Sequence, residues 1–178
     1  DELKGTAYAV VDGVDGRTHH IKLPDLEAAG DSAPGSIVEL RKFDDAQGRR
    51  RVAIAVRSDL AIEDQVTASG ATWLDRQAVA RDPVALGQAG FGAEVREAMD
   101  RRADRLIEQG LAERQARGIV FASGLIGTLR QREVEALGER LAAETGQPFN
   151  GAATGEYVAG TYRQRFALAS GRFAMIDD

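Results

Sequence analysis

Arg49, Arg50 and Arg51, with Arg41 and Lys42 a short distance upstream, form the densest concentration of positive charge in this sequence. Guanidinium groups present a planar fork of donors that fits phosphate oxygens, so such a cluster at a loop tip can grip a nucleic-acid backbone. The same residues can equally form a solvated turn that protects a strand edge, and Asp44 and Asp45 beside them cancel part of the field. Arg114 and Arg117 are a second candidate, preceded by Arg101, Arg102 and Arg105. There Asp100, Asp104, Glu108 and Glu113 are interleaved, which is the pattern of an ordinary solvated face. Tyr157 and Tyr162, with Arg163 and Arg165, bring aromatic rings and cations onto one stretch. They could stack on bases, or sit half-buried in a sheet.

Other chemistries lack their residues. His19 and His20 are the only histidines, and neighbours on a strand point to opposite faces, so they cannot share one metal. Neither H-x-H nor H-E-x-x-H spacing occurs, and Cys is absent, so no metal site and no thiolate chemistry are expected. The carboxylates lie in turns or opposite arginines on helix faces, with no pair set up for acid–base work. Gly13, Gly16, Gly90 and Gly92 make no phosphate-binding fingerprint, and no nucleophile elbow is present. No catalytic residue and no cofactor are expected.

The elements that must position the arginines follow from periodicity. Residues 7–23 alternate in period two around Asp12-Gly13 and Asp15-Gly16, a β-hairpin that places His19, Ile21 and Leu23 on one face. A Pro- and Gly-rich connection, 24–35, leads to a strand at 36–43, a turn at 44–48 and a strand at 51–57. Residues 60–67 read as a short fifth strand or a helical turn. Four or five short strands in about 65 residues suggest a small antiparallel barrel or a strongly coiled sheet. Beyond Ser69-Gly70 the character becomes helical. A short helix at 72–80 carries the only Trp, and a Gly-rich hinge at 87–92 leads to an amphipathic helix at 93–109. Its stripe is Val95, Met99, Ala103, Leu106 and Ile107, with Gly110 as C-terminal cap. A hairpin at 111–121 with its tip at 115–118 follows, the helix-then-ribbon pattern of a winged helix. Ser123 can cap a helix to about 145 with Leu125, Leu129, Val134, Leu137 and Leu141 inward. A linker at 146–155 precedes strands at 156–168 and 172–176.

At 178 residues, with 43% hydrophobic and 29% charged residues, the chain is long enough to bury a core in one domain or two small ones. The net charge of −5 means the whole chain does not attract nucleic acid, which leaves local patches to do so. Lys occurs only at 4, 22 and 42, all other cations being Arg, a bias consistent with GC-rich bacterial coding. Apolar runs fall far short of the ~20 residues that span a bilayer, and the lack of Cys fits the cytoplasm.

Three blocks, AYAVVDGVDGRTHHIKLPDL, QVTASGATWLDRQAVAR and GEYVAGTYRQRFALASGRFAMIDD, resemble the region that follows the nuclease in bacterial conjugative relaxases, the mobilisation nucleases related to the T-DNA border endonuclease. The resemblance covers essentially the whole chain. It implies a fragment of a larger DNA-processing protein, starting inside a helix-like Asp1-Glu2-Leu3 and stopping at Asp178 within a strand-rich unit. Relaxase chemistry needs a nucleophilic Tyr and a His cluster around a divalent metal, and neither matches here, so nicking and strand transfer would belong to an N-terminal nuclease domain of the same polypeptide.

The expectation is therefore an α+β chain with a small antiparallel β-barrel-like domain at 1–68, a helical, winged-helix-like region at 69–148 and the start of a terminal β-hairpin unit at 149–178. Its expected role is a non-catalytic accessory region of a relaxase that helps hold origin-of-transfer or single-stranded DNA. Arg41, Lys42, Arg49, Arg50, Arg51, Arg114 and Arg117 are the candidate DNA contacts. The alternative is a protein-interaction module recognised by the coupling protein of a type IV secretion system.

Overall fold

In the computed structural model, which describes residues 6–153 and 155–177, four helices form a centre to which four two-stranded antiparallel ribbons attach. The ribbons are β1 (Tyr8–Asp12) with β2 (Thr18–Lys22), β3 (Ile37–Asp44) with β4 (Arg50–Ser58), β5 (Ala112–Gln115) with β6 (Gly118–Phe121), and β7 (Thr161–Leu168) with β8 (Gly171–Asp177). The helices are α1 (Ile62–Thr67), α2 (Trp73–Ala78), α3 (Gly90–Glu108) and α4 (Leu125–Thr145). The helix-like start expected at Asp1-Glu2-Leu3, and the terminal Asp178, lie outside the described residues.

Each helix buries the face its sequence marks. Within residues 60–67 the chain is helical from Ile62 to Thr67, with Ile62, Gln65 and Val66 inward at helical spacing. α2 opens on a capping box: Thr72 Oγ1 accepts from the Asp75 N–H at 3.3 Å, and Asp75 Oδ2 accepts from the Thr72 N–H at 2.8 Å. One core cluster joins Ile37, Ile62, Val66, Trp73, Leu74, Val95 and Ala98, and thus draws on residues before and after position 68. A second joins Ala71, Leu106, Leu111, Leu125 and Leu129. Fully burying a Leu such as Leu74 on α2, Leu106 on α3 or Leu129 on α4 contributes roughly 1.5–3 kcal/mol each.

Two ribbons meet this centre by their turns and two by their open ends. The β1–β2 turn presses on the start of α3: the Gly87 N–H donates to the Val14 carbonyl at 2.7 Å, and a Cβ on Gly92 would lie 2.3 Å from that same oxygen. Only glycine permits that approach. The β7–β8 turn is held by Glu133 of α4, whose carboxylate accepts from the Ala169 and Ser170 N–H groups at 3.0 and 2.9 Å. Ser170 Oγ in turn accepts from the Ala71 N–H at 2.8 Å. β3–β4 joins through Ile37 and Ser58, and β5–β6 through Leu111 and Phe121, so both of these project their tips outward.

Several expectations change. No closed barrel forms among the described residues: each sheet has two strands, and β1–β2 and β3–β4 share no ladder. Alternation identifies a strand but not its neighbour, and closure requires a continuous hydrogen-bonded ring. α3 starts at Gly90, so half of the expected hinge is its first turn. α4 is entered through Gly124 at φ 69°, not capped by Ser123, because the chain must reverse sharply out of β6. β7 begins at Thr161, leaving Tyr157 outside the strand and 89% exposed. Among the described residues no helix is long and apolar enough to cross a membrane.

Candidate nucleic-acid interface

The β3–β4 tip is organised by one carboxylate. Asp45 Oδ1 accepts from the Gln47 and Arg49 N–H groups at 3.0 and 2.9 Å, which fixes the four-residue turn closed by Gly48. Its Oδ2 accepts from Arg49 Nε at 3.0 Å and Arg51 Nε at 2.9 Å. The Arg49 N–H and the Arg51 guanidinium hold the Asp45 carboxyl below its ordinary range, so it stays charged as the tip's counter-ion. Glu39 does the same one step down the ribbon. It accepts from Arg57 Nε at 2.8 Å and Arg41 Nε at 3.0 Å, and these contacts lower its pKa in that order.

Register then sorts the ribbon into two faces. Phe43 pairs with Arg51, and Arg41 with Ala53, so Arg41, Phe43 and Arg51 share one face with two small alanines, Ala53 and Ala55, and Arg57, unpaired at the bulge, reaches that face through Glu39. Phe43 is 50% exposed there, between guanidiniums. Lys42 and Arg50 occupy the opposite face beside Asp44 and make no ion pair among the described residues. Five cations against three carboxylates between positions 39 and 51 leave the tip positive within an acidic chain.

The second candidate divides differently. Arg114 lies on β5 and its guanidinium is tied to Asp104 at 2.6 Å, while Arg117 is exposed in the two-residue turn beyond Gln115. Arg101 is paired with Glu63 at 2.6 and 2.7 Å, and that contact raises its pKa further. Arg102 is not on this surface at all. It is 2% exposed, donates Nε and Nη2 to the two oxygens of Asp75 at 2.9 Å each, and also donates to the Ala68 and Gly70 carbonyls. Its apolar neighbours on the helix stripe, Ala98, Ala103 and Leu106, carry it inward.

His19 reaches back to Asp15 at 3.0 Å while His20 lies on the other face, and among the described residues no group of His, Asp or Glu gathers to hold a metal ion. Arg163 pairs with Asp177 across β7–β8, and Tyr162 is exposed near it.

One cluster was not visible in the sequence. Arg57 at the end of β4, Arg76 on α2 and Arg172 at the start of β8 line a common cleft of about 400 Å³ with Asp59 and Ser170. Strong turn signals mark Gly171, but nothing local says that its hairpin would come to rest beside β4.

Neither a curated protein nor a solved structure matches this chain. A family model does, over residues 40–178, which take in most of the β3–β4 ribbon, all four helices and both later ribbons. The chain therefore belongs to the family described as Protein of unknown function (DUF3363).

Proposed function

We propose that this chain is a non-catalytic accessory module of a conjugative relaxase in the bacterial cytoplasm, and that its β3–β4 ribbon holds single-stranded or origin-of-transfer DNA for the nuclease domain of the same polypeptide. The observation that carries the reading is Phe43, half-exposed on one ribbon face between Arg41 and Arg51. An aromatic ring flanked by guanidiniums is the combination that stacks a base while holding its phosphates. Lys42 and Arg50 on the opposite face, with no ion pair to break, add charge that a strand wrapping the tip would meet first. Arg49 is committed to the turn. The β5–β6 ribbon with α3 is taken as a winged-helix-like pair, in which Arg117 is the free cation and Arg114 the tethered one. The relaxase assignment itself rests on the three sequence blocks, not on the geometry.

The test is fluorescence anisotropy of labelled single- and double-stranded oligonucleotides at two salt concentrations. Affinity for the single strand should fall with salt, with a log–log slope of roughly −0.7 for each phosphate engaged. Phe43→Ala should weaken binding about tenfold, corresponding to about 1–3 kcal/mol of stacking. Absence of salt-dependent binding at low ionic strength would end the DNA reading.

A second reading has its own support. The α3 and β5–β6 face is neutralised by Arg101–Glu63 and Arg114–Asp104 pairs, and the chain carries −5 overall. Such a surface suits recognition by the type IV coupling protein. A pull-down that retains the full-length relaxase but not this chain would eliminate it.

A further inference from the structure

The cleft between the end of β4, α2 and the β7–β8 turn has a composition that packing alone does not explain. Three arginines from three separate elements, Arg57, Arg76 and Arg172, line one open space of about 400 Å³. Like charges brought together repel, so a fold normally disperses them or neutralises each one. Here two are neutralised. Arg172 makes a two-pronged contact with Asp59, at 3.0 and 3.1 Å, and Arg57 shares Glu39 with Arg41. Arg76 has no carboxylate. Its one hydrogen bond goes from Nη2 to the Ser170 carbonyl at 3.2 Å, which fixes the side chain over the cleft and leaves its other donors unpaired among the described residues. The hydroxyls nearby are already committed: Ser58 Oγ accepts from the Leu60 N–H, and Ser170 Oγ from the Ala71 N–H. Its charged lining is three arginines against one carboxylate, Asp59, which leaves the cleft net positive.

We propose that this cleft is a phosphate-binding site in which Arg57, Arg76 and Arg172 are the ligands and Asp59 is the built-in competitor that a phosphate displaces from Arg172. Arginine forks match phosphate oxygens as well as they match a carboxylate, so the exchange replaces one charge-assisted pair by another. The volume lies within the range of about 300–1,000 Å³ of pockets that hold small organic ligands, which leaves room for the sugar attached to the phosphate. The site also extends the ribbon reading and in that sense rests on it. Arg57 is six residues from Arg51 along β4, so cleft and ribbon tip lie roughly 20 Å apart along one strand. A single DNA strand stacked on Phe43 would then place a phosphate in the cleft. The two sources of that phosphate are an internal phosphodiester and a terminal 5′-phosphate.

The experiment is an NMR titration of the arginine Nε–Hε resonances of the full chain with inorganic phosphate, then with short oligonucleotides carrying a 5′-phosphate or a 5′-hydroxyl. Phosphate should move the Arg57, Arg76 and Arg172 signals together. Arg76→Gln, at an exposed side chain, should weaken phosphate binding about tenfold. Asp59→Asn, which removes the competing charge but keeps the shape, should strengthen it about threefold. Preference for the 5′-phosphate would assign a strand terminus, and equal binding of both oligonucleotides an internal phosphodiester. Unmoved arginine signals, or weaker binding by Asp59→Asn with its fold intact by circular dichroism, would overturn the site. Phosphate binding at the three arginines without any oligonucleotide binding would keep the site and remove the ribbon reading.

Discussion

Arg102→Met tests the assignment of Arg102 to the core instead of to a charged surface. The side chain is 2% exposed and its partner Asp75 is 0% exposed, with both guanidinium–carboxylate contacts at 2.9 Å. Met keeps much of the apolar stem. It removes the donors that satisfy both Asp75 oxygens and the Val66, Ala68 and Gly70 carbonyls, where α1, α2 and α3 meet. Asp75 would retain only its bonds from Thr72, as a buried charge without a counter-ion. Removing one member of such a pair costs about 3–5 kcal/mol. Against a total stability of about 5–15 kcal/mol that is a large fraction. At this chain length each kcal/mol moves Tm by about 2–4 °C, so the midpoint should drop by roughly 6–20 °C. Arg102→Met/Asp75→Asn should recover part of the loss, because no bare charge remains. Arg101→Met, at an exposed and solvent-screened ion pair, should move the midpoint far less. Thermal and urea unfolding followed by circular dichroism reads all three. A loss for Arg102→Met no larger than that for Arg101→Met would refute the reasoning.

Gly70→Ala should destabilise by about 1–3 kcal/mol, because its Cβ would fall 1.9 Å from a Glu133 oxygen that is pinned by the Ala169 and Ser170 N–H groups. Faster amide exchange at Ala169 and Ser170 in that variant is the specific readout, and unchanged exchange there would count against the pinning. Acid should weaken the β4–β8 tie. Arg172 lowers the Asp59 pKa, so the unfolded chain takes up that proton first on acidification. The contribution is complete above the ordinary carboxylate range of about 4 and is lost as the pH falls through the lower folded value. Urea midpoints measured from neutral pH into that window should show a shallower decline for Asp59→Asn than for the parent, and identical slopes would contradict it.

What the sequence made legible was local. The turn chemistry of Asp15-Gly16 and Asp45-Gly48, the stripe from Val95 to Ile107, and the Leu125 to Leu141 stripe each announce an element because the signal lies within a few residues. Where an element had to find a distant partner, the reading failed. The alternation of β1 to β4 is compatible with a barrel, yet nothing in it says that the β1–β2 turn docks on Gly87 and Gly92 instead. Arg102 looked like one of a run of surface cations because Asp75, its partner, is 27 positions away. Its place on the stripe between Ala98 and Leu106 was the available signal, and charge type overrode it. Arg57, Arg76 and Arg172 are brought together by long-range docking of the last ribbon, which no local pattern encodes.

The distribution of counter-ions bears on how such a surface could work. Asp45, Glu39, Asp59 and Asp104 each hold an arginine that an incoming phosphate would need. A contact made by a strand at one of those arginines would therefore be an exchange of one ion pair for another, and its net gain small. Lys42, Arg50, Arg76 and Arg117 make no ion pair among the described residues, and they are spread over two ribbon tips and the cleft instead of concentrated at one point. Affinity from such a surface would come from several weak sites on one flexible strand, each raising the effective concentration for the next. That arrangement lets a strand be held yet released one contact at a time, whereas a single strong basic patch would retain it. Loss of one free cation should then reduce binding modestly, and loss of two should reduce it by more than the product of the single effects.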